Sequence, residues 1–364
     1  MGNRVEITKG SVWIYRVFDI AEEINVAAVE GLLRNSLGPD KFHVRKFIDR
    51  GIVMKKAPMS FGLGDVHFPL KHRGVKADVL VKVREYGVLS FIYRIPIEPG
   101  TAWPELVNMA AELEELAEID EIALRHCQDV KKAILPALKQ PTDWRTFEDY
   151  TVYFVEELKG ASTTKELLER ADVPALVLAE PETVMAESTR QSVLENVYQY
   201  AENDCAVLEW NAALVWDSKG GREVLDILEF AVTHLLEMRY YDDLLDRNLE
   251  GLYDKIERRK GQRLRGDFDT IYRESSRRYI EFTEFIERVE NSLKVVGDFY
   301  LATVYRAATR EFRLSDWQQS ITRKMNILAQ VSSLLQGEVN IRRSHWLEII
   351  IIALIAFEIL GALL

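Results

Sequence analysis

Apolar and polar positions alternate along the first part of the chain and recur in steps of three and four along the rest. Ser11–Phe18 is dense in β-branched and aromatic residues and predicts a strand. Glu22–Leu33 carries helical spacing, and Gly51–Met54 predicts a short strand. Ala77–Arg84 alternates, and so does Val88–Ile95. The residues between them, Glu85-Tyr86-Gly87, include a glycine, so the two runs predict a β-hairpin. Pro104–Leu138 reads as one long helical stretch with an acidic start. Tyr150–Val155 and Ala206–Val215 predict further strands, the second split by Asn211. Phe61-Gly-Leu-Gly-Asp65 has two glycines and lacks the third of a nucleotide-binding turn, so it reads as a loop. Antiparallel strands with flanking helices predict an α+β sandwich over residues 1–215.

The texture changes after Gly220-Gly221. From there to Gln336 the chain has no proline. Leu228, Ala231, Leu235, Met238, Leu245, Leu249, Leu252 and Ile256 follow steps of three and four. Phe282, Ile286, Val289, Leu293, Val296 and Tyr300 repeat the pattern, as do Trp317, Ile321, Met325, Leu328 and Leu335. Breaks fall near Gly261–Gly266 and Arg310–Ser315. Such seams are the usual mark of helix pairing, so residues 222–345 predict a three-helix antiparallel coiled coil.

Composition narrows the class. The 364 residues hold 47 Lys and Arg against 58 Asp and Glu, a net charge of −11, and are 48% hydrophobic. Mean hydropathy is −0.12. These values exclude a disordered chain, a collagen-like repeat and a polytopic transporter, and they argue against a DNA-coating protein. Two cysteines without a CxxC pair fit a reducing compartment and neither a disulfide framework nor a zinc site. No signal peptide is visible, and Glu6 stands where a myristoylation site needs Ser or Thr. A bacterial chain kept at the cytoplasm is the simplest reading. No phosphate-binding glycine loop or nucleophile elbow occurs, and no cofactor is implied. The six histidines show no HxxxH spacing. Asp65, His67 and His72 share a loop, but no ligand pair sits on a fixed element, so no metal site is predicted. His126 and Cys127 are helix neighbours that point to different faces and form no catalytic pair. Asp242, Asp243 and Asp246 read as a solvated face.

The end of the chain inverts the averages. Ile349–Leu364 carries one charge, Glu358. Its sixteen residues cover roughly 24 Å as a helix, against a hydrocarbon core of ~30 Å, and Trp346 and Leu347 bring it close. Trp346 occupies an interfacial aromatic position, with Arg342 and Arg343 before it. Residues 346–364 therefore predict a tail-anchoring transmembrane helix in a bacterial inner membrane, with the soluble body on the cytoplasmic side. The competing reading, a buried core helix, needs cover on every side, which a coiled coil does not offer. Trp346, Glu348 and Glu358 mark the span and its oligomer contacts. Glu358 is either an ion-handling group or a protonated carboxyl bridging copies, and the absence of a second intramembrane polar partner favours the bridge. Helix order brings the turn at Gly261–Gly266 to the same membrane. Nine basic residues, among them Arg258, Arg259, Lys260, Arg263 and Arg265, surround it against four acidic ones. Anionic lipid is the favoured partner there, ahead of a solvated loop and of RNA.

The last fifty residues resemble a known family. Ile321-Thr-Arg-Lys-Met-Asn-Ile-Leu328, Leu334-Leu335 and His345–Glu358 are similar to the C-terminal signature of the required-for-meiotic-nuclear-division family. That signature is an "R..LN.RL…LL" helix followed by "LEWIIIILI..E". Arg323, Asn326, Leu347, Glu348 and Glu358 match it, with Trp346 preceding rather than following Leu347-Glu348. Tyr86-Gly-Val-Leu-Ser-Phe91, led by Tyr86 and Gly87, resembles the family's "YGVVVFW" strand without its final Trp. The resemblance implies a membrane-anchored homo-oligomer with no established enzymatic activity and, through mitochondrial relatives, a link to translation or the ribosome. The resulting expectation is a non-enzymatic, tail-anchored, homo-oligomeric scaffold or tether. A CorA-like ion-channel subunit and an enzyme with its site in residues 1–215 are the alternatives.

Overall fold

Strand β1, Glu6–Asp19, is the spine of the molecule: it pairs along its length with a strand on each side. A computed structural model describes residues 5–37, 43–44, 58–71, 74–258 and 299–363, with scattered helical positions between 273 and 287. After β1 come β2 (Ala21–Ile24), α1 (Val26–Leu37), β3 (His43–Val44), β4 (Met59–Pro69), β5 (Gly74–Val83), β6 (Val88–Ile97) and β7 (Thr101–Ala102). Helices α2 (Trp103–Glu114) and α3 (Ala117–Ala133) follow, then β8 (Leu138–Pro141) and β9 (Phe147–Lys159). Next are α4 (Thr164–Arg170), α5 (Val173–Val177), α6 (Glu187–Glu195), β10 (Val197–Tyr198), β11 (Asp204–Leu208) and β12 (Ala212–Asp217). The chain ends in α7 (Glu223–Arg258), α8 (Phe299–Glu311) and α9 (Leu314–Leu363).

The main sheet runs β10-β11-β12-β9-β1-β6-β5-β4-β3, with β7 pairing the start of β1. All its pairs are antiparallel except β12 with β9, so the sheet is mixed. Period-two alternation gives the sheet two unlike faces. Val12, Ile14, Val81, Phe91 and Tyr153 build one face, and α2 and α3 cover it with Leu106, Ala110, Ile119 and Ala123. The other face carries Trp13, Tyr15, Lys82, Ser90 and Phe154, all buried. The start of α7 lies on it: the Tyr15 hydroxyl donates to the Leu225 carbonyl, and Lys82 meets Asp226. Helix α8 joins this layer, where Tyr150 and Phe312 pack edge to face at 5.3 Å.

The hairpin of β5 and β6 forms where alternation predicted it, with Lys82 opposite Ser90. Its turn needs Gly87. The φ there is +93°, and an added Cβ would stand 1.6 Å from the Ala21 carbonyl oxygen. That proximity is productive, because Ile20 N–H donates to the Gly87 carbonyl and Ile24 N–H to the Glu85 carbonyl.

The chain divides into two compact units, one made of Met1–Glu237 with Glu287–Ser315, the other of Met238–Ile286 with Asp316–Leu364. The first holds the sheet and its helix layers. In the second, Lys324 Nζ reaches Asp242 at 2.8 Å and Asp246 at 2.6 Å, and the Ser320 hydroxyl donates to Asp242. Advancing four residues on α7 advances four on α9, so these two stretches run parallel. Asp242, expected on a solvated face, is therefore turned toward α9.

Several local expectations are corrected. Glu22–Leu33 is not one helix, because Ala21–Ile24 pairs with β8 first. Phe61–Asp65 is not a loop: it lies in β4, whose glycines accompany an irregularity between Gly62 and Asp65. Pro104–Leu138 divides at Glu115-Leu116, and Ala206–Val215 is the hairpin of β11 and β12. The break expected near Arg310–Ser315 is present, with Arg313 at φ 50°. Gly51–Met54 lies outside the described residues.

The larger correction concerns the membrane. Among the described residues no helix is long and apolar enough to cross one. Trp346–Leu363 is the continuation of α9 and not a separate spanning element. Its strictly apolar part is also shorter than the hydrocarbon thickness. The fold is a large mixed sheet between helices, with helices after it, and among the described residues no helix fits a tail anchor. The transmembrane and tail-anchored assignments, and the single-pass location in a bacterial inner membrane with a cytoplasmic body, lose their basis.

Candidate functional site

Lys82 and Arg84 are two residues apart and project from the same face of β5 and its end. Ser90 stands beside Lys82 on β6. Opposite them α7 is mostly apolar from Val224 to Met238, yet it carries Asp226, Glu229, Thr233 and Glu237. Steps of three, four and four put these on one stripe of the helix, so the stripe and the strand pair meet.

Glu229 is the hub. It accepts from Lys82 Nζ at 3.2 Å, from Arg84 Nη2 and from the Ser90 hydroxyl. Lys82 also donates to Asp226 at 2.8 Å. The side chains of Lys82, Arg84 and Glu229 are 1–2% exposed. Burial works to raise the Glu229 carboxyl, but Arg84, Lys82 and the Ser90 hydroxyl outweigh it and hold the group well below the usual carboxylate range. Arg84 also lies over the Phe230 ring at 5.6 Å. One turn further on, Tyr86 and Thr233 are 3.1 Å apart. Thr233 spends its single hydroxyl proton on the Phe230 carbonyl at 2.7 Å, so Tyr86 is the donor to Thr233. Burial pushes the Tyr86 phenol up to about 12, which keeps that proton in place. His234 Nδ1 and the Tyr305 hydroxyl of α8 are 2.7 Å apart, and burial pushes His234 down to about 3. It is therefore neutral near pH 7.

This arrangement holds charge in a fixed, buried place. Elsewhere in the same unit, Arg16 pairs with Asp120 at 2.6 Å, and Tyr93 meets His126 at 3.1 Å. Burial pushes the Cys127 and Cys205 thiols up to about 12, so neither is a ready nucleophile. Asp65 pairs with Lys76 at 2.6 Å and not with His67, while His72 lies outside the described residues. Among the described residues no group of three metal-ligating side chains comes together.

The residues singled out from sequence fare unequally. Tyr86 and Gly87 sit in the β5–β6 turn, where Tyr86 joins the cluster and Gly87 admits β2. Arg323 and Asn326 are exposed on α9, and the ion-pairing residue between them is Lys324. Glu348 is exposed on the same helix. Arg258, Arg342, Arg343, Trp346 and Glu358 lie within helices, but their side chains fall outside the description. Arg259, Lys260, Arg263 and Arg265 lie outside the described residues altogether, and the expected lipid or RNA contact goes with them. The cluster itself escaped sequence reading. Its signal was there, as charged residues at i and i+2 of a strand and an acidic stripe inside an apolar helical run.

Comparison with known proteins overturns the resemblance to the required-for-meiotic-nuclear-division family. That resemblance rested mainly on an isoleucine- and leucine-rich tail, with Arg323, Asn326 and the Tyr86–Phe91 strand beside it, and such apolar runs recur in unrelated helices. The relationship found lies at the other end of the chain. A family model described as "Uncharacterized protein MJ0711, N-terminal domain" matches residues 9–223. The chain is also similar to uncharacterized protein MJ0711 of Methanocaldococcus jannaschii. The two are 24% identical over 234 residues, which is 63% of this chain and 70% of that protein. No solved structure matches. With the greater part of the chain covered, sheet included, it belongs to the family of the MJ0711 N-terminal domain.

Proposed function

We propose that this protein is a non-enzymatic scaffold that assembles with copies of itself through the apolar end of α9. One observation carries the reading. Leu347, Ile349, Ile350, Ile351, Ile352, Leu354 and Ile355 are each between 48% and 66% exposed. Four consecutive isoleucines, about 100° apart around the helix, leave no polar side. In a parallel bundle of identical helices each copy buries the part of this apolar surface that faces its neighbours. Burying the exposed half of seven such side chains is worth roughly 5–10 kcal/mol per chain before the cost of association. Micromolar assembly needs about 8 kcal/mol. The sealed cluster under α7 agrees with a structural role for the domain.

Sedimentation equilibrium of the full chain tests this. The parent should sediment as a trimer or larger, and Ile351→Glu should shift it toward the monomer with an unchanged thermal melt. A parent that is monomeric at tens of micromolar, or one that leaves the assembly for added lipid vesicles, overturns the reading.

A further inference from the structure

Helix α8 turns an arginine-bearing side outward, although the chain as a whole carries a net charge of −11. Phe299, Thr303, Arg306 and Arg310 follow steps of four, three and four. At about 100° and 1.5 Å per residue they stay within roughly 60° of arc and spread over about 16 Å. Arg313 follows just past the helix end, and all three arginines are exposed. Aromatic rings stand at both ends of this line. Phe299 is 81% exposed and Tyr200 72%, and Tyr200 packs against Tyr300 with ring centres 5.9 Å apart. At the other end Trp210 is 43% exposed and meets Phe312 edge to face at 6.2 Å. We propose that this face of α8, with Tyr200 and Trp210 beside it, is a binding platform for single-stranded nucleic acid.

The platform is fastened in place by the protein itself. Arg310 Nη2 donates to the Tyr198 hydroxyl at 2.6 Å and to Asn196 at 3.2 Å, and the Tyr300 hydroxyl donates to the Tyr198 carbonyl at 3.4 Å. These bonds hold α8 to β10. The Arg306 guanidinium lies over one face of the Phe299 ring at 5.9 Å and leaves the rest of that ring to solvent. A single strand needs cations along its phosphates and open rings for its unpaired bases. Arg306, Arg310 and Arg313 supply the first, and Tyr200, Phe299 and Trp210 the second. A duplex hides its base faces and would use the arginines alone. Most acids on this surface are already engaged. Asp204 accepts from the Tyr200 and Ala201 amides, Glu209 accepts from the Trp210 amide, and Glu311 pairs with Arg310. Glu195 and Glu202 are exposed beside β10, oppose the ligand and keep its affinity moderate. An acidic peptide would meet the same arginines, but it brings no flat bases to the three exposed rings. The rings therefore favour the nucleic acid. All of these residues belong to the compact unit that holds the sheet, so binding does not require the apolar end of α9.

Fluorescence anisotropy of the full chain with a labelled oligouridylate of about twelve nucleotides tests this. The parent should bind it in the micromolar range at low salt. The logarithm of the binding constant should fall against the logarithm of salt with a slope near −2, since each of three phosphate contacts contributes about 0.7. Tyr200→Ala should weaken binding about tenfold with little change in that slope. Arg306→Glu should weaken it about as much and flatten the slope. Both residues are exposed, so both variants should melt within a few degrees of the parent. A hairpin duplex of the same length should bind about tenfold more weakly than the single strand. Absence of binding at about 100 μM protein in low salt overturns the proposal. So does either variant that binds like the parent, a duplex that binds as tightly as the single strand, or displacement of the oligonucleotide by poly-glutamate at equal charge concentration.

Discussion

Arg84 and Glu229 form a salt bridge in which each side chain is 1% exposed. Neither charge reaches solvent, so each depends on the other and on its protein neighbours. Arg84→Met leaves Glu229 with Lys82 and Ser90 alone. Breaking one side of such a buried pair costs about 3–5 kcal/mol. Urea denaturation should show that loss as a lower midpoint with an unchanged slope.

His234 sets a pH dependence. Its value in the folded chain is about 3, against 6.5 for the free side chain. Below pH 6.5 the unfolded chain takes up a proton there that the folded chain refuses. The stability tied to neutral His234 is thus complete above pH 6.5 and is lost as the pH falls toward 3, by about 1.4 kcal/mol per unit. Glu229, also depressed, adds its own loss below the ordinary carboxylate value of about 4.3. His234→Gln preserves a partner for Tyr305 and removes the titration. Its stability between pH 6.5 and 4.5 should be nearly flat where that of the parent slopes.

Gly87→Ala should be among the costliest single-atom additions in the domain. The residue holds φ +93°, and the new methyl would meet the Ala21 carbonyl oxygen at 1.6 Å. Either β2 leaves the turn or the turn changes conformation. A loss of roughly 2–4 kcal/mol is expected, with enhanced amide exchange at Ile20 and Ile24, whose N–H groups now donate to the turn.

How far the chain could be read from its sequence follows from the range of each signal. The β5–β6 hairpin was legible because the alternating runs Ala77–Arg84 and Val88–Ile95 are separated by only three residues. The break at Arg313 was legible because a helical seam stops there. The order of the main sheet was not, since β1 takes its partners from β6 and β9, and no local pattern records that pairing. Lys82 looked like an ordinary outward position of an alternating strand. It is buried because α7, 144 residues later, brings Asp226 to it. The acidic residues of α7 went unread, and even as a stripe they would not say whether they face water or an arginine. Periodicity also misled at the tail, where an apolar run supported both a membrane span and a family resemblance that the rest of the chain does not share.

The tip of the β5–β6 hairpin has a consequence for anyone who cuts or extends this protein. Hairpin tips usually tolerate peptide insertions, because their backbone faces solvent. Here the Glu85 and Gly87 carbonyls hold β2, and the Tyr86 side chain reaches Thr233 on α7. Three residues fasten two other parts of the domain. An epitope tag or a circular-permutation cut at this tip would unfasten both.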